Sequence, residues 1–358
     1  MRFERVADAR ALREFLALPG RLHDHRYVPI THQTIRRWYR EGVALHLLRD
    51  DAGRVIGRTT LHTDAALDAK LGRRSQLFGL TEFRPGAGEA LFEQIHAAAV
   101  RAERSAVFGP VSLLPNQSGG VITSGFAERG FLDSAWNPEH YPLEYESFGF
   151  TRRFESDTWI CPTTADPDSV FDFDDNRPAA EQLRLHRGDK RRIAEQLPIL
   201  RTMLNAAFGQ LGYYTDISGG QLAAQTDGLA YLLDESLLLY LTKADRPVAF
   251  VLCVPDISEF LSRIGGDLGL RNQLRLLAGR SRYRREAVLV IKGTVPEEQG
   301  HGYMRYLSRE LLRNLRAGGY EGLRSTFVER SNPASAAHFR ALGGRPLHGY
   351  TFYDKELR

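Results

Sequence analysis

The segment Gly293-Thr-Val-Pro296-Glu-Glu-Gln299-Gly300-His301-Gly302-Tyr303-Met304-Arg305 joins an apolar, β-branched run, Ala287 to Ile291, to an amphipathic run, Tyr303 to Leu315. Glycine lets the main chain come close to a ligand, and the unpaired N–H groups and positive dipole end of a helix's first turn suit a phosphate or pyrophosphate. The chemistry offered is anion binding between a strand and a helix. It is not that of a P-loop, which needs a Gly-Lys-Ser/Thr ending, nor of a dinucleotide fingerprint, which needs a third glycine. Acid or base work needs a titratable group close by. Glu286 opens the strand before the loop, Asp256 follows Pro255 at the end of the apolar run Val248 to Val254, and Tyr303 opens the helix. Glu82, Glu259, Glu297, Glu298 and His301 are further acidic or basic groups near these elements.

Other chemistries find little support. His23-Asp24-His25 and the remaining histidines form no pair at a metal-ligand spacing, so no metal site is expected. Ser118-Gly119-Gly120 is not a nucleophile elbow. Cys161 and Cys253, the only cysteines, are too few for a disulfide framework or a four-thiolate zinc site and read as reduced and buried. The formal charge is only +4, from 48 basic and 44 acidic residues. It is concentrated, however: Arg263, Arg271, Arg275, Arg280, Arg282, Arg284 and Arg285 lie in one stretch with Asp267 as its only acid, a surface able to meet an anionic ligand.

These groups must be held by two bodies. At about 150 residues per domain, 358 residues predict about two domains. The acidic, proline-bearing, aperiodic stretch 162–181 reads as the link, giving lobes over 1–161 and 182–358. In the second lobe the pattern predicts strands at Gln182–His186, Leu237–Leu241, Val248–Val254, Ala287–Ile291, Leu323–Val328 and Tyr350–Tyr353. Helices are predicted at Lys190–Phe208, with Pro198 a kink or break, and at Leu222–Leu233, Tyr303–Leu315 and Pro333–Leu342, the last capped by Asn332. The first lobe repeats much of this order. Helices at Ala9–Leu18 and Thr34–Glu41 precede strands at Ala44–Leu48, Arg54–Leu61 and Leu77–Phe83, then a helix at Glu89–Glu103, a strand at Val107–Val111, a helix at Glu139–Phe148 and a strand at Arg153–Ile160. The fold class is α/β with a mixed sheet, two similar lobes in tandem.

The element order, Pro296-Glu-Glu-Gln299-Gly-His-Gly302 and Asn332-Pro-Ala-Ser-Ala-Ala-His-Phe339-Arg-Ala-Leu-Gly343 together resemble the GNAT superfamily of N-acetyltransferases. More of the chain resembles a two-lobed, GNAT-like bacterial group, through Phe108-Gly109-Pro110, Asn116, Gly119-Gly120-Val-Ile-Thr-Ser-Gly125-Phe126, Tyr141, Phe148-Gly149-Phe150, Pro255-Asp256 and Glu259-Phe260-Leu261. The resemblance implies that Gln299, Gly300, His301, Gly302, Tyr303 and Met304 cradle the pyrophosphate of acetyl-CoA or another acyl-CoA, with Arg305 pairing to a phosphate and Asn332 opening the last helix. It also implies that a β-bulge places the acyl group beside Ile291, Gly293 and Val295. Two positions depart from the family pattern. Met304 stands where the last Gly or Ala is usual, and Phe339 stands where a tyrosine often protonates the leaving thiolate. His338 lies about 100° around the helix from Phe339, and Tyr303, Tyr306 and Tyr350 lie in neighbouring elements. The loop Arg84-Pro85-Gly86-Ala-Gly88-Glu89 of the first lobe stands in the equivalent place but lacks the spacing, so that lobe is expected to be structural or acceptor-binding.

The expected activity is transfer of an acyl group from an acyl-CoA to a small amine or amino-acid acceptor bound between the lobes. Asp256, Glu286 and Tyr303 are the acid–base candidates. The alternatives are an aminoacyl-tRNA or an acyl carrier protein as donor, met by the arginine-rich stretch 263–285, and a non-catalytic binding module that keeps the fold. No run approaches the ~18 apolar residues of a membrane span and the N-terminus lacks a secretion signal, so a cytoplasmic location without a membrane partner is expected.

Overall fold

The computed structural model describes residues 1–113, 119–134, 136–226 and 233–357. Asn116 and Ser118, and the end of the helix expected at Leu222–Leu233, lie outside the described residues. In chain order the elements are β1 (Arg2–Arg5), α1 (Ala9–Ala17), α2 (Pro19–Leu22), α3 (His32–Arg40), β2 (Ala44–Arg49), β3 (Val55–His62), α4 (Ala65–Leu71), β4 (Ser75–Phe83), α5 (Gly88–Arg101), β5 (Ala106–Gly109), β6 (Val121–Ser124), α6 (His140–Ser147) and β7 (Thr151–Pro162). They continue with α7 (Pro167–Val170), α8 (Arg177–Ala180), β8 (Leu183–Arg187), α9 (Ile193–Phe208), α10 (Gly219–Thr226), β9 (Leu238–Lys243), β10 (Arg246–Pro255), α11 (Ser258–Arg263), α12 (Leu270–Ala278), β11 (Glu286–Thr294), α13 (Tyr303–Ala317), β12 (Gly322–Glu329), α14 (Pro333–Ala341) and β13 (Arg345–Glu356).

The chain folds as two compact units. The first comprises Met1–Asp157, Ile257–Leu274 and Leu347–Arg358, and the second comprises Thr158–Asp256 and Arg275–Pro346. The segment 162–181 carries α7 and α8, and its Phe171 and Phe173 are buried in the core of the second unit.

The first unit is built on the strand order β1-β2-β3-β4-β5-β13, with β6 also paired to β13. One face is covered by α5 through Leu91, Phe92 and Ile95, the other by α1 and α3 through Phe15, Leu16, Ile35 and Trp38. The parallel pair β4 and β5 is joined over Ser75–Leu77 and Ala106–Phe108. Beyond that, the strand expected to run to Val111 stops at Gly109, and the chain folds into the space between the two strands. The Val111 amide donates to the Phe78 carbonyl at 2.7 Å, and a Cβ on Gly79 would stand 1.5 Å from the Val111 carbonyl oxygen.

The second unit has the order β12-β11-β10-β9-β8, with the end of β7 beside β12. The face under α13 holds Val251, Cys253, Leu289, Leu307, Leu311 and Leu315, and the face under α9 holds Met203, Leu204, Ala207, Phe250 and Ile291. Helix α9 passes through Pro198 without ending. The parallel strands β11 and β12 pair from Glu286/Gly322 to Leu289/Ser325 and then part. In the register with β10, Cys253 faces Leu289 while Leu252 faces Ile291, so Val290 is the extra residue of a bulge. The Thr326 hydroxyl donates to the Val290 carbonyl at 2.8 Å just where the strands diverge.

Candidate active site

Each unit thus has a wedge between two parallel strands, followed by a loop and a long helix. The two wedges differ. In the first unit, the Gly86 and Gly88 amides at the start of α5 donate to the two carboxylate oxygens of Glu144, at 2.9 and 2.7 Å. An internal carboxylate therefore takes the place where an anion would bind, and the wedge above it is filled by residues 109–111.

In the second unit the corresponding amides are open. Gly302, at φ +81°, is the N-cap of α13 and provides no side-chain cap. Gly300 has φ +82° and, among the described residues, no atom within 4 Å of where a Cβ would stand. Among the described residues, the amides of Gly300 to Met304 donate to no protein acceptor. Two cations flank them. Arg305 is exposed on the first turn, and the Arg177 guanidinium donates to the His301 carbonyl at 2.9 Å while lying 3.7 Å from the Cβ position of Gly302. Left-handed glycines, a helix N-terminus and two arginines together could hold a phosphate or pyrophosphate.

The expected cradle residues divide by role. The Gln299 side chain donates to the Thr294 carbonyl at 3.3 Å and so braces the loop. His301 is half-exposed and lies over Tyr303, with ring centroids 5.7 Å apart. Met304 and Val295 pack against the core. Gly293 has no room for a side chain: a Cβ would meet Ala207 of α9 at 2.8 Å. Ile291 faces α9 as well. Asn332 caps α14, accepting from the Ser335 amide at 3.1 Å.

The three acid–base candidates are not brought together. Asp256 and Glu286 sit at the beginning of β11, the end away from the loop, around the buried Arg324. The Arg324 Nε lies 2.8 Å from Glu286 and 3.7 Å from Asp256. At about 3.3 Å per residue, Glu286 is roughly 17 Å along the strand from Ile291, so this ion cluster organises the strand ends rather than reaching the wedge. Tyr303 is buried, and its hydroxyl donates to Glu181 at 2.5 Å; Glu181 is itself held by Arg177. Burial and that hydrogen bond raise the Tyr303 pKa. Tyr306 stacks on Phe173 at 4.9 Å. Tyr350 belongs to the first unit, where its hydroxyl meets Ser134 at 2.8 Å.

Two groups near the wedge escaped sequence reasoning. Arg177 is more than a hundred residues from the loop it flanks, and Lys292 lies within a run read only for its backbone. The Lys292 ammonium lies 4.5 Å from the centroid of the Phe339 ring. It shares with His338, Phe339, Phe171 and Ser308 the lining of a cavity of about 20 Å³, room for about one water. Burial lowers its pKa to about 8. The thiols of Cys161 and Cys253 face it, and burial pushes Cys161 up to about 12 and Cys253 higher. His338, stacked on Phe171 at 4.5 Å, has a pKa well below the usual histidine range, through burial first and then the charges of Lys292 and Arg305. Among the described residues no cluster of histidine, cysteine and acidic side chains could hold a metal, and no helix is long and apolar enough to cross a membrane.

Comparison with known structures fits this arrangement. A tandem GNAT protein from the clavulanic acid biosynthesis pathway superposes with a TM-score of 0.57 over 99% of this chain and 98% of its own, at 13% identity. The chain has the tandem GNAT fold. A GCN5-related N-acetyltransferase from Sphaerobacter thermophilus matches with a TM-score of 0.54 over 99% of this chain and 96% of its own, at 12% identity. The GCN5-related glucosamine N-acetyltransferase region of a fungal multi-domain GH3 β-N-acetylglucosaminidase gives 0.61 at 13% identity, and there the chain spans 38% of the longer protein. In sequence, Protein YghO of Escherichia coli strain K12 is 23% identical over 322 residues, 86% of this chain and 80% of that protein. No family model matches.

Proposed function

We propose that this chain is an N-acyltransferase whose second unit binds an acyl-CoA and passes the acyl group to an amine. The observation that carries the reading is the contrast between the cradles. The amides of Gly300 to Met304 are open and flanked by Arg177 and Arg305, whereas their counterparts in the first unit are closed by Glu144. A pyrophosphate accepting from those amides would orient the rest of the donor along the wedge where β11 and β12 part. The thioester would then lie beside the bulge at Val290, where a main-chain N–H out of regular register with β10 would polarise its carbonyl. An acyl thioester is already activated, so positioning and carbonyl polarisation supply most of the required assistance. The acceptor class, a small amine or amino acid, follows from the resemblance to N-acetyltransferases. Calorimetric titration with acetyl-CoA and CoA tests the donor: saturable binding is expected, and no binding at millimolar concentration would refute it.

A second donor, an acidic acyl carrier protein, is favoured by α12. Leu270, Leu274 and Leu277 are exposed at helical spacing beside exposed Arg271 and Arg275, a basic and apolar face. An aminoacyl-tRNA would use the arginines but not the leucines. Binding of a carrier protein or a tRNA through those arginines should weaken steeply with salt.

A further inference from the structure

We propose that Lys292 is the proton donor to the departing thiolate, the part that Phe339 cannot play. The inference rests on the donor assignment above and on three structural observations. First, the bulge decides where Lys292 points. In an unbroken strand Leu289 and Ile291 would share a face and Lys292 would look towards α9; the extra residue Val290 reverses this, pairing Ile291 with Leu252 on the α9 face and Lys292 with Val251 on the face of α13 and α14. Second, the pairing of β11 with β12 ends at Leu289, so Lys292 lies within the wedge, over the ring of Phe339 at 4.5 Å and beside the small cavity. Third, among the described residues no carboxylate pairs with it. The titratable groups that act on it are Cys161 on β7 and Cys253 on β10; His338 on α14 lines the same cavity and feels both Lys292 and Arg305 of α13. Without a carboxylate partner among the described residues, this partly buried ammonium has N–H bonds to offer a ligand.

The acceptor nitrogen attacks the thioester carbon, the C–N bond forms, the C–S bond breaks, and sulfur leaves with the electron pair. A proton passes from the Lys292 Nζ to that sulfur, giving the free thiol and a neutral lysine. The acceptor nitrogen releases its extra proton to water, and a proton from water restores the ammonium. A donor with a pKa of about 8 is close to that of an ordinary thiol, about 8.5, so the transfer is nearly level, the condition under which a general acid is efficient.

The test uses the full chain with acetyl-CoA as donor and a mixture of glucosamine and the twenty amino acids as acceptors. K292M should bind acetyl-CoA within about threefold of wild type, yet release CoA about 100-fold more slowly. Its rate should also lack the fall above about pH 8 expected of the wild type. Brief labelling with acetic anhydride between pH 6 and 10, read by peptide mass spectrometry, should give a midpoint near 8 at Lys292 and protection by CoA. An unchanged rate and pH profile in K292M, a midpoint above 10, or labelling that CoA does not block would overturn the assignment. So would stoichiometric acetyl transfer to Nζ, which would make Lys292 a nucleophile. If wild type binds acetyl-CoA and only these results fail, the donor reading stands without Lys292; if wild type does not bind acetyl-CoA, both fall.

Discussion

If Gly300 to Met304 hold a pyrophosphate, a negative charge fixed beside those amides must repel it, and Gly300 allows that charge to be added with little else changed. Its φ of +82° is one that asparagine and aspartate adopt more readily than other side chains, and a Cβ there meets no described residue within 4 Å. G300N and G300D are therefore nearly isosteric and pay the same backbone strain, so their difference isolates one charge. At about 5 Å from each phosphate and an effective dielectric of about 60 for this exposed loop, the repulsion is about 1 kcal/mol per phosphate charge. Two charges give about 2 kcal/mol, or about a 30-fold weaker Kd for CoA in G300D than in G300N. In 1 M salt, where the screening length falls to about 3 Å, the ratio should shrink to about twofold. Calorimetry with CoA at low and high salt measures both ratios, and matched thermal melts check that the two variants are equally folded. Equal affinities for CoA at low salt would refute a pyrophosphate placed beside residue 300.

The closed wedge of the first unit predicts that G79A destabilises by about 3 kcal/mol or more, since a Cβ 1.5 Å from the Val111 carbonyl oxygen forces the main chain apart; an unchanged urea midpoint would contradict the packing described here. Acid sensitivity should come in part from His62 and His46, whose pKa values burial lowers from 6.5 to about 4. Because the unfolded chain binds protons that the folded one excludes, stability is full above about pH 6.5 and falls as the pH drops towards 4. The His62 Nε2–H donates to the Leu113 carbonyl at 2.8 Å, and H62Q should flatten the loss measured by denaturant titration between pH 7 and 4.5; an unaltered slope would exclude His62 as a source.

The alternation of apolar runs and helical spacing was enough to place most of the strands and helices, because burying one face of a strand or helix imposes periods of two and 3.6 that the residues must obey. The loop from Gly293 to Arg305 was legible for the same local reason: glycines, a preceding β-branched strand and a following amphipathic helix are contiguous. Short edge pieces such as β1, β6 and α4 were not legible, since four to seven residues carry too little periodicity. Nor could composition separate Glu144 from any other surface acid; only folding brings it onto the amides of Gly86 and Gly88. The same holds for Arg177, whose distance in sequence from His301 hides their contact. Asp256 and Glu286 look suited to proton transfer by type and position, and the register of β11 places them instead at the end of the strand away from the loop, around Arg324. Above all, the orientation of Lys292 is a tertiary fact. One extra residue at Val290 turns its side chain from one face of the sheet to the other, and a bulge of that kind is set by how β10 and β11 pair, not by the residue types along β11 alone.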